Sequence, residues 1–453
     1  MAGSLYARFR KGLAGQAFSQ AVVFGTQIAS VPLFVHFWGL QLYGEWLVLF
    51  ALPSWLMLTD LGFTAATGHE MTMRTAAGDT GGALSAFQTT WLVLCVASLL
   101  ASIAAVAAVA YLPFAGTFGF VELDGRSTVL VLALLLLQML VTLQANLLVA
   151  GLVCVGAYGE GSALDAVTRL GAFALMIGAV AGGLGPVGAA AGLATGTFLG
   201  FIALRLWVRH RTPWLTYGTG KASTATGRRL LLPSLGFTGF VVGNALAIQG
   251  PILVIGATIG PAATVVYTTL RMMTRAVIAV STLLFANVRP EIAIAHGAGD
   301  EALVRRLHGR SVQAGVWLVA LAATALIVAG DPVVRLWTTG KVAVEQPLFA
   351  LLIVAMAGSI VGLASGTVLY ATNRSQQISP VLVVVAALAL AAAIPLADVA
   401  GLAGVAATAA VSECLLAGWV LYRTLPAIGE RLPPLVSRAL RPPLDIGRVL
   451  LRR

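Results

Sequence analysis

Charge is scarce in this sequence. Only 10% of its 453 residues are Asp, Glu, Lys or Arg, whereas a soluble globular domain carries roughly 25%. Too little charge is present to cover a water-facing surface, and that excludes an ordinary soluble fold. Cysteine is reduced to Cys95, Cys154 and Cys414, all in or beside apolar runs, so free thiols are expected and no disulfide framework. The histidines at 36, 69, 210, 296 and 308 have no metal-ligand spacing. No Gly-x-x-x-x-Gly-Lys-[Ser/Thr] loop occurs, which leaves no ATPase in the chain. Neither a metal nor another cofactor is expected.

What is abundant is apolar length. Hydrophobic residues make up 59% of the chain and mean hydropathy is +0.93. Runs of about 20 residues or more are long enough to cross ~30 Å of hydrocarbon as helices. The expected fold is an all-α polytopic membrane protein with spans at 13–36, 42–66, 87–111, 128–153, 163–183, 185–207, 231–258, 262–286, 311–330, 347–371, 380–398 and 401–422. The longest loop is basic and central, which divides the chain into a six-helix bundle at 1–207, a cytoplasmic linker at 208–230, a second six-helix bundle at 231–423, and a basic, Pro-rich tail at 424–453. Arg8, Arg10 and Lys11 precede the first span with no convincing cleavage site, predicting a retained helix rather than a signal peptide.

Basic residues orient the spans. With the N-terminus inside, Arg126, Arg335 and Lys341 fall outside and Arg271 and Arg275 fall mid-span. The rest of the 28 Lys and Arg lie on cytoplasmic segments. That asymmetry predicts both termini in the cytoplasm. The +11 net charge therefore reads as topology and contact with membrane lipid, and no domain is present to hold nucleic acid.

Internal repetition supplies the next level. Glu70 through Ala77-Gly78-Asp79 is echoed by Glu291 through Ala298-Gly299-Asp300, each between two spans, with Tyr267 matched to Tyr43. Asp60, Glu70, Asp79, Glu291 and Asp300 are candidates for gating or coupling. Gly188, Gly192, Gly196 and Gly200, and later Gly358, Gly362 and Gly366, form bare ridges for close helix packing.

Intramembrane polarity marks the candidate site. Arg271 and Arg275 lie near mid-membrane on one helix face, and charge at that depth is costly enough to imply a polar interior. Glu413 is the carboxylate at similar depth, leaving surplus positive charge and predicting an anion-binding cavity. Arg169 could join it from the inner end, and Glu413 is also a candidate for protonation. Gln16 and Gln20 in the first span and Gln138 and Asn146 in the fourth form polar stripes, read equally well as interhelical bonding or as cavity lining. External loops are short, which disfavours a membrane-embedded polymerase or ligase.

Trp38-Gly39-Leu40-Gln41-Leu42-Tyr43-Gly44-Glu45-Trp46, followed by Asp60-Leu61-Gly62-Phe63, Glu70 and Gly78-Asp79, resembles the bacterial oligosaccharide (O-antigen type) flippases. These belong to the multidrug/oligosaccharidyl-lipid/polysaccharide exporter superfamily. The resemblance implies two pseudo-symmetric bundles in a V around a central cavity, working by alternating access. Its implied substrate is a polyprenyl-pyrophosphate-linked glycan, moved to the outer leaflet of the bacterial inner membrane for O-antigen, capsule or exopolysaccharide synthesis. It also implies polysaccharide polymerase or export partners. Multidrug exporters share the fold but mostly carry cations, which surplus arginine would repel.

Overall fold

The computed structural model describes residues 2–111, 114–372 and 374–442, with side chains described for these except 2–14, 105–111, 114–115, 158, 236 and 375. Pro443 and the partly apolar 444–451 stretch of the tail lie outside the described residues. In hydrocarbon every backbone N–H and C=O needs an internal partner, so long apolar runs become helices. In chain order they are α1 (Ala2–Ser54), α2 (Phe63–Ala76), α3 (Thr80–Tyr111), α4 (Phe114–Thr117), α5 (Gly125–Cys154), α6 (Tyr158–Ala181), α7 (Gly185–Arg211), α8 (Thr224–Thr258), α9 (Pro261–Ala286), α10 (Arg289–Gly297), α11 (Glu301–Trp337), α12 (Gln346–Ala371), α13 (Ser379–Ala427) and α14 (Leu432–Ala439). No strand occurs among the described residues.

Ten of these stretches are long and apolar enough to cross a membrane, and two of the ten double back. In α1 the turn is at Gly39, with φ 74° and ψ −173°. The rings of Phe34 and Trp46 are 5.9 Å apart, where twelve residues of straight helix would separate them by about 18 Å. Phe34 stacks on Tyr43 at 5.0 Å and Trp38 packs edge-on to Trp46 at 5.6 Å. The aromatic residues of the Trp38–Trp46 motif therefore brace a hairpin. In α13 the turn is at Gly401, with φ 58°. A β-carbon on Gly404 would stand 2.0 Å from the carbonyl oxygen of Leu396, an approach no continuous helix allows over eight residues. Counting both arms of each hairpin gives the twelve expected spans.

The second span departs from its expected 42–66 course. Helix α1 ends at Ser54, one residue past Pro53, and a 3-10 turn follows over Trp55–Asp60. Leu61 and Gly62 are then left-handed, with φ 45° and 72°. Thr59 and Asp60 bond locally: the Thr59 hydroxyl donates to the Leu56 carbonyl, and Asp60 accepts from the amide and hydroxyl of Thr64 at 2.9 and 2.7 Å. Such side chains compete with helix continuation. Asp60 thus starts α2 instead of ending a span.

Close contacts gather the chain into two compact units, Met1–Ala245 with Gly260–Thr264, and Leu246–Ile259 with Val265–Arg453. The division runs through α8. Within the first unit, the 208–230 stretch is folded against α3 and α5. Gln88 donates to the Thr216 carbonyl and accepts from the Lys221 amide, Thr89 accepts from the Ser223 amide, and Tyr217 contacts Phe87 and Trp91. The Leu215 side chain fills the space over Gly151.

The glycine ridges pack as anticipated except at Gly188, where a β-carbon would meet only Leu184 at the start of its own helix. β-Carbons on Gly192, Gly196 and Gly200 would collide with Leu175, Ala172 and Thr168 of α6, and one on Gly358 would meet Glu413 of α13 at 2.9 Å. Gly362 lies against Ala417 of the same helix.

The repeat shows in the backbone itself. Gly78 and Gly299 are left-handed, with φ 78° and 73°. Asp79 and Asp300 donate their amides to the Arg74 and Ala295 carbonyls, both at 2.9 Å. Each Asp then caps the next helix, accepting from Gly82 at 2.7 Å and from Leu303 at 2.9 Å. Gly260, with φ 120°, follows Gly39 by the same interval that separates Asp300 from Asp79. This register sets Tyr267 opposite Trp46, not opposite Tyr43.

Candidate functional site

Arg271 lies ten residues into α9, about 15 Å along its axis from Pro261. Its guanidinium is half-buried and committed. Nη2 donates to the Ala247 carbonyl at 2.7 Å and Nη1 to the Ile248 carbonyl at 3.1 Å, both on α8. Its cationic carbon also sits 5.8 Å from the ring of the fully buried Tyr267, one turn earlier. Arg275, one turn later, is exposed. Among the described residues it has no hydrogen bond or ion pair, and its electrostatic neighbours are Arg271, Glu413 and Tyr267.

Glu413 reaches this pair from α13. Gly358 lets α12 lie directly against the Glu413 backbone, which brings Ser359 beside the Glu413 carboxyl. Two guanidinium groups thus face one carboxylate within the second unit. The cluster carries a net positive charge and presents the planar guanidinium fork of Arg275, the geometry that suits phosphate or carboxylate oxygens.

The other expected site residues scatter by role. Arg169 belongs to the first unit and pairs with Asp165 at 2.8 Å, one turn before it. Gln16 is exposed and Gln20 and Asn146 are half-buried. Gln138 is buried and donates to Thr142 at 3.0 Å and Thr197 at 3.5 Å, joining α5 to α7 as interhelical bonding. Among the gating candidates, Glu70 accepts from Arg74 at 2.7 Å and lies 3.2 Å from Arg229. Arg74 also pairs with Asp79. Glu291 is exposed and faces Ala295 in the repeat position of Arg74, so the ionic tie of the first half has no counterpart among the described residues of the second.

Two contributors went unread in the sequence. Glu45 is fully buried and gathers the loop before α5, accepting from the amides of Val121, Glu122 and Leu123 at 2.7, 3.0 and 2.9 Å and from Gln41 at 3.0 Å. Ser359 lies beside the Glu413 carboxyl. The signals were present, as an acidic residue inside an aromatic motif and a serine next to a ridge glycine.

No family model and no curated protein matches the chain. Solved structures do match in fold. An inward-facing multidrug resistance MATE family transporter of the MOP superfamily superposes with a TM-score of 0.70 at 14% identity, over 92% of this chain and 99% of that one. The lipid II flippase MurJ, in an inward closed conformation, gives 0.70 at 11% identity, over 97% and 92%. A MOP superfamily transporter from Pyrococcus furiosus gives 0.65 at 13% identity, over 93% and 95%, and is described as having a binding pocket of reverse polarity that suggests a different function. The chain therefore has the polytopic helical fold shared by MATE transporters and the MurJ flippase.

Proposed function

We propose that this chain is a flippase, not an enzyme, and that it moves a polyprenyl-diphosphate-linked oligosaccharide across the bacterial cytoplasmic membrane by alternating access. The observation that carries the reading is the Arg271–Arg275–Glu413 cluster. Two arginines against one carboxylate in membrane-spanning helices favour an anionic headgroup and repel the cations of multidrug export. The diphosphate docks on the exposed Arg275 and on the side of Arg271 not turned to α8. The lipid tail remains in the bilayer, both termini lie in the cytoplasm, and the product feeds a polymerase or export partner of surface-polysaccharide synthesis.

The lipid II flippase supports this reading as a flippase of the same fold, while the MATE transporters support multidrug export. Reconstitution separates the two. Vesicles containing the protein are expected to move a fluorescent lipid-linked oligosaccharide between leaflets, and Arg275→Ala to slow it by at least about tenfold, as for loss of one charge-assisted contact. Wild-type flipping in Arg275→Ala, or export of a cationic dye instead, overturns the proposal.

A further inference from the structure

The acceptors that hold Arg271 have a covalent origin. A helical carbonyl normally receives the amide four residues on, but residue 251 is a proline and has no N–H to give. The carbonyl four residues before Pro251 is that of Ala247, and it is the carbonyl to which Arg271 donates at 2.7 Å. The second acceptor, Ile248, is its neighbour in the same turn. Preceding Pro251 is Gly250, where a β-carbon would stand 2.7 Å from the Leu390 side chain, so the turn is also packed from α13.

We propose that Pro251 is a positioning residue for anion binding, acting through Arg271. By withholding an N–H from the Ala247 carbonyl, it leaves an acceptor that aims the guanidinium. The two carbonyls take the terminal edge of the group, one bond to each Nη. The side edge, formed by Nε and one Nη, remains to receive two oxygens of a phosphate group. A guanidinium so held loses little freedom on binding, whereas one released from α8 must be ordered by the ligand at a cost in affinity. Pro251 itself need touch no substrate. The inference rests on the reading that Arg271 binds the diphosphate.

The test is a double-mutant cycle on the full-length chain in lipid nanodiscs, titrated with farnesyl diphosphate as the probe. Pro251→Ala restores an N–H to the Ala247 carbonyl and is expected to weaken binding about tenfold while leaving thermal stability undiminished. In an Arg271→Ala background the same change is expected to do nothing. Lactic acid introduced at position 251 by nonsense suppression also lacks an N–H and is expected to bind as wild type, which separates the missing donor from the ring. Pro251→Ser supplies the same N–H and serves if the Ala variant misfolds. If Arg271→Ala weakens binding but restoring the N–H does not, or weakens it equally in both backgrounds, the positioning role is overturned and the binding reading stands. If neither Arg271→Ala nor Arg275→Ala weakens binding, the binding reading itself fails.

Discussion

The buried carboxylate of Glu45 has four donors around it, three of them consecutive amides of the loop before α5. Hydrogen bonds to a charged acceptor are worth roughly 1.5–3 kcal/mol each, and a buried donor left unmade costs about as much. Glu45→Ala is therefore expected to release the 121–123 segment, seen as faster proteolysis of that loop from outside and a lower thermal midpoint. Unchanged proteolysis would mean the loop is held by other contacts. At this scale legibility in the sequence was uneven. Arg271 and Arg275 stood out because charge in an apolar run has few explanations. The commitment of Arg271 to α8 could not be read, since it depends on which turn of which helix lies opposite. The role of Glu45 could not be read from its motif, because nothing local identifies three amides arriving from 76 to 78 residues away.

Among the elements, the Ala-Gly-Asp turns are where sequence and structure correspond most closely. Both turns were legible because left-handed glycine and a capping aspartate are local devices, needing nothing from distant residues. The end of the second span was not, since an apolar run continues across Ser54 while the helix does not. Leu56 stays buried in the 3-10 turn, and hydropathy alone cannot separate such a turn from a helix. The first Ala-Gly-Asp turn has an ionic component. Bonding to the Gly82 amide and then to Arg74 holds the Asp79 carboxyl below its ordinary value of 3.8. A depressed carboxylate stabilises its folded surroundings above the unfolded value and loses that contribution as pH falls through the folded one. The Glu70–Arg74–Asp79 turn is thus expected to be closed at neutral pH and to open below pH 3.8, followed by deuterium labelling of the 77–82 amides corrected for the intrinsic pH dependence of exchange. Asp79→Asn should label readily at every pH. Equal labelling of wild type and variant at neutral pH would remove Asp79 from the lock.

At the scale of the molecule, two hairpins turning at single glycines reconcile ten apolar stretches among the described residues with twelve crossings. Twelve crossings and the distribution of Lys and Arg together predict the sidedness of the loops. Reporter fusions at Gly125 and Lys341 are expected to read as external and one at Lys221 as cytoplasmic. A cytoplasmic signal at Gly125 would invert the orientation. The span count was legible because a membrane imposes one length on every crossing. The division into compact units was not, because it runs through α8 with no change in composition to announce it.

The seat at Gly44 bears on how such a chain is made. A β-carbon there would stand 2.0 Å from the Pro261 carbonyl oxygen, so the first turn of α9 rests directly on the first hairpin. Pro261 is synthesised more than two hundred residues after Gly44, and until it emerges the seat stays empty. The N-terminal unit must therefore wait in the bilayer, nearly complete, for five residues that the ribosome delivers only after α8 has been threaded. A nascent chain halted at Ile259 stops short of that closure, and one that reaches Thr264 carries everything the first unit contains.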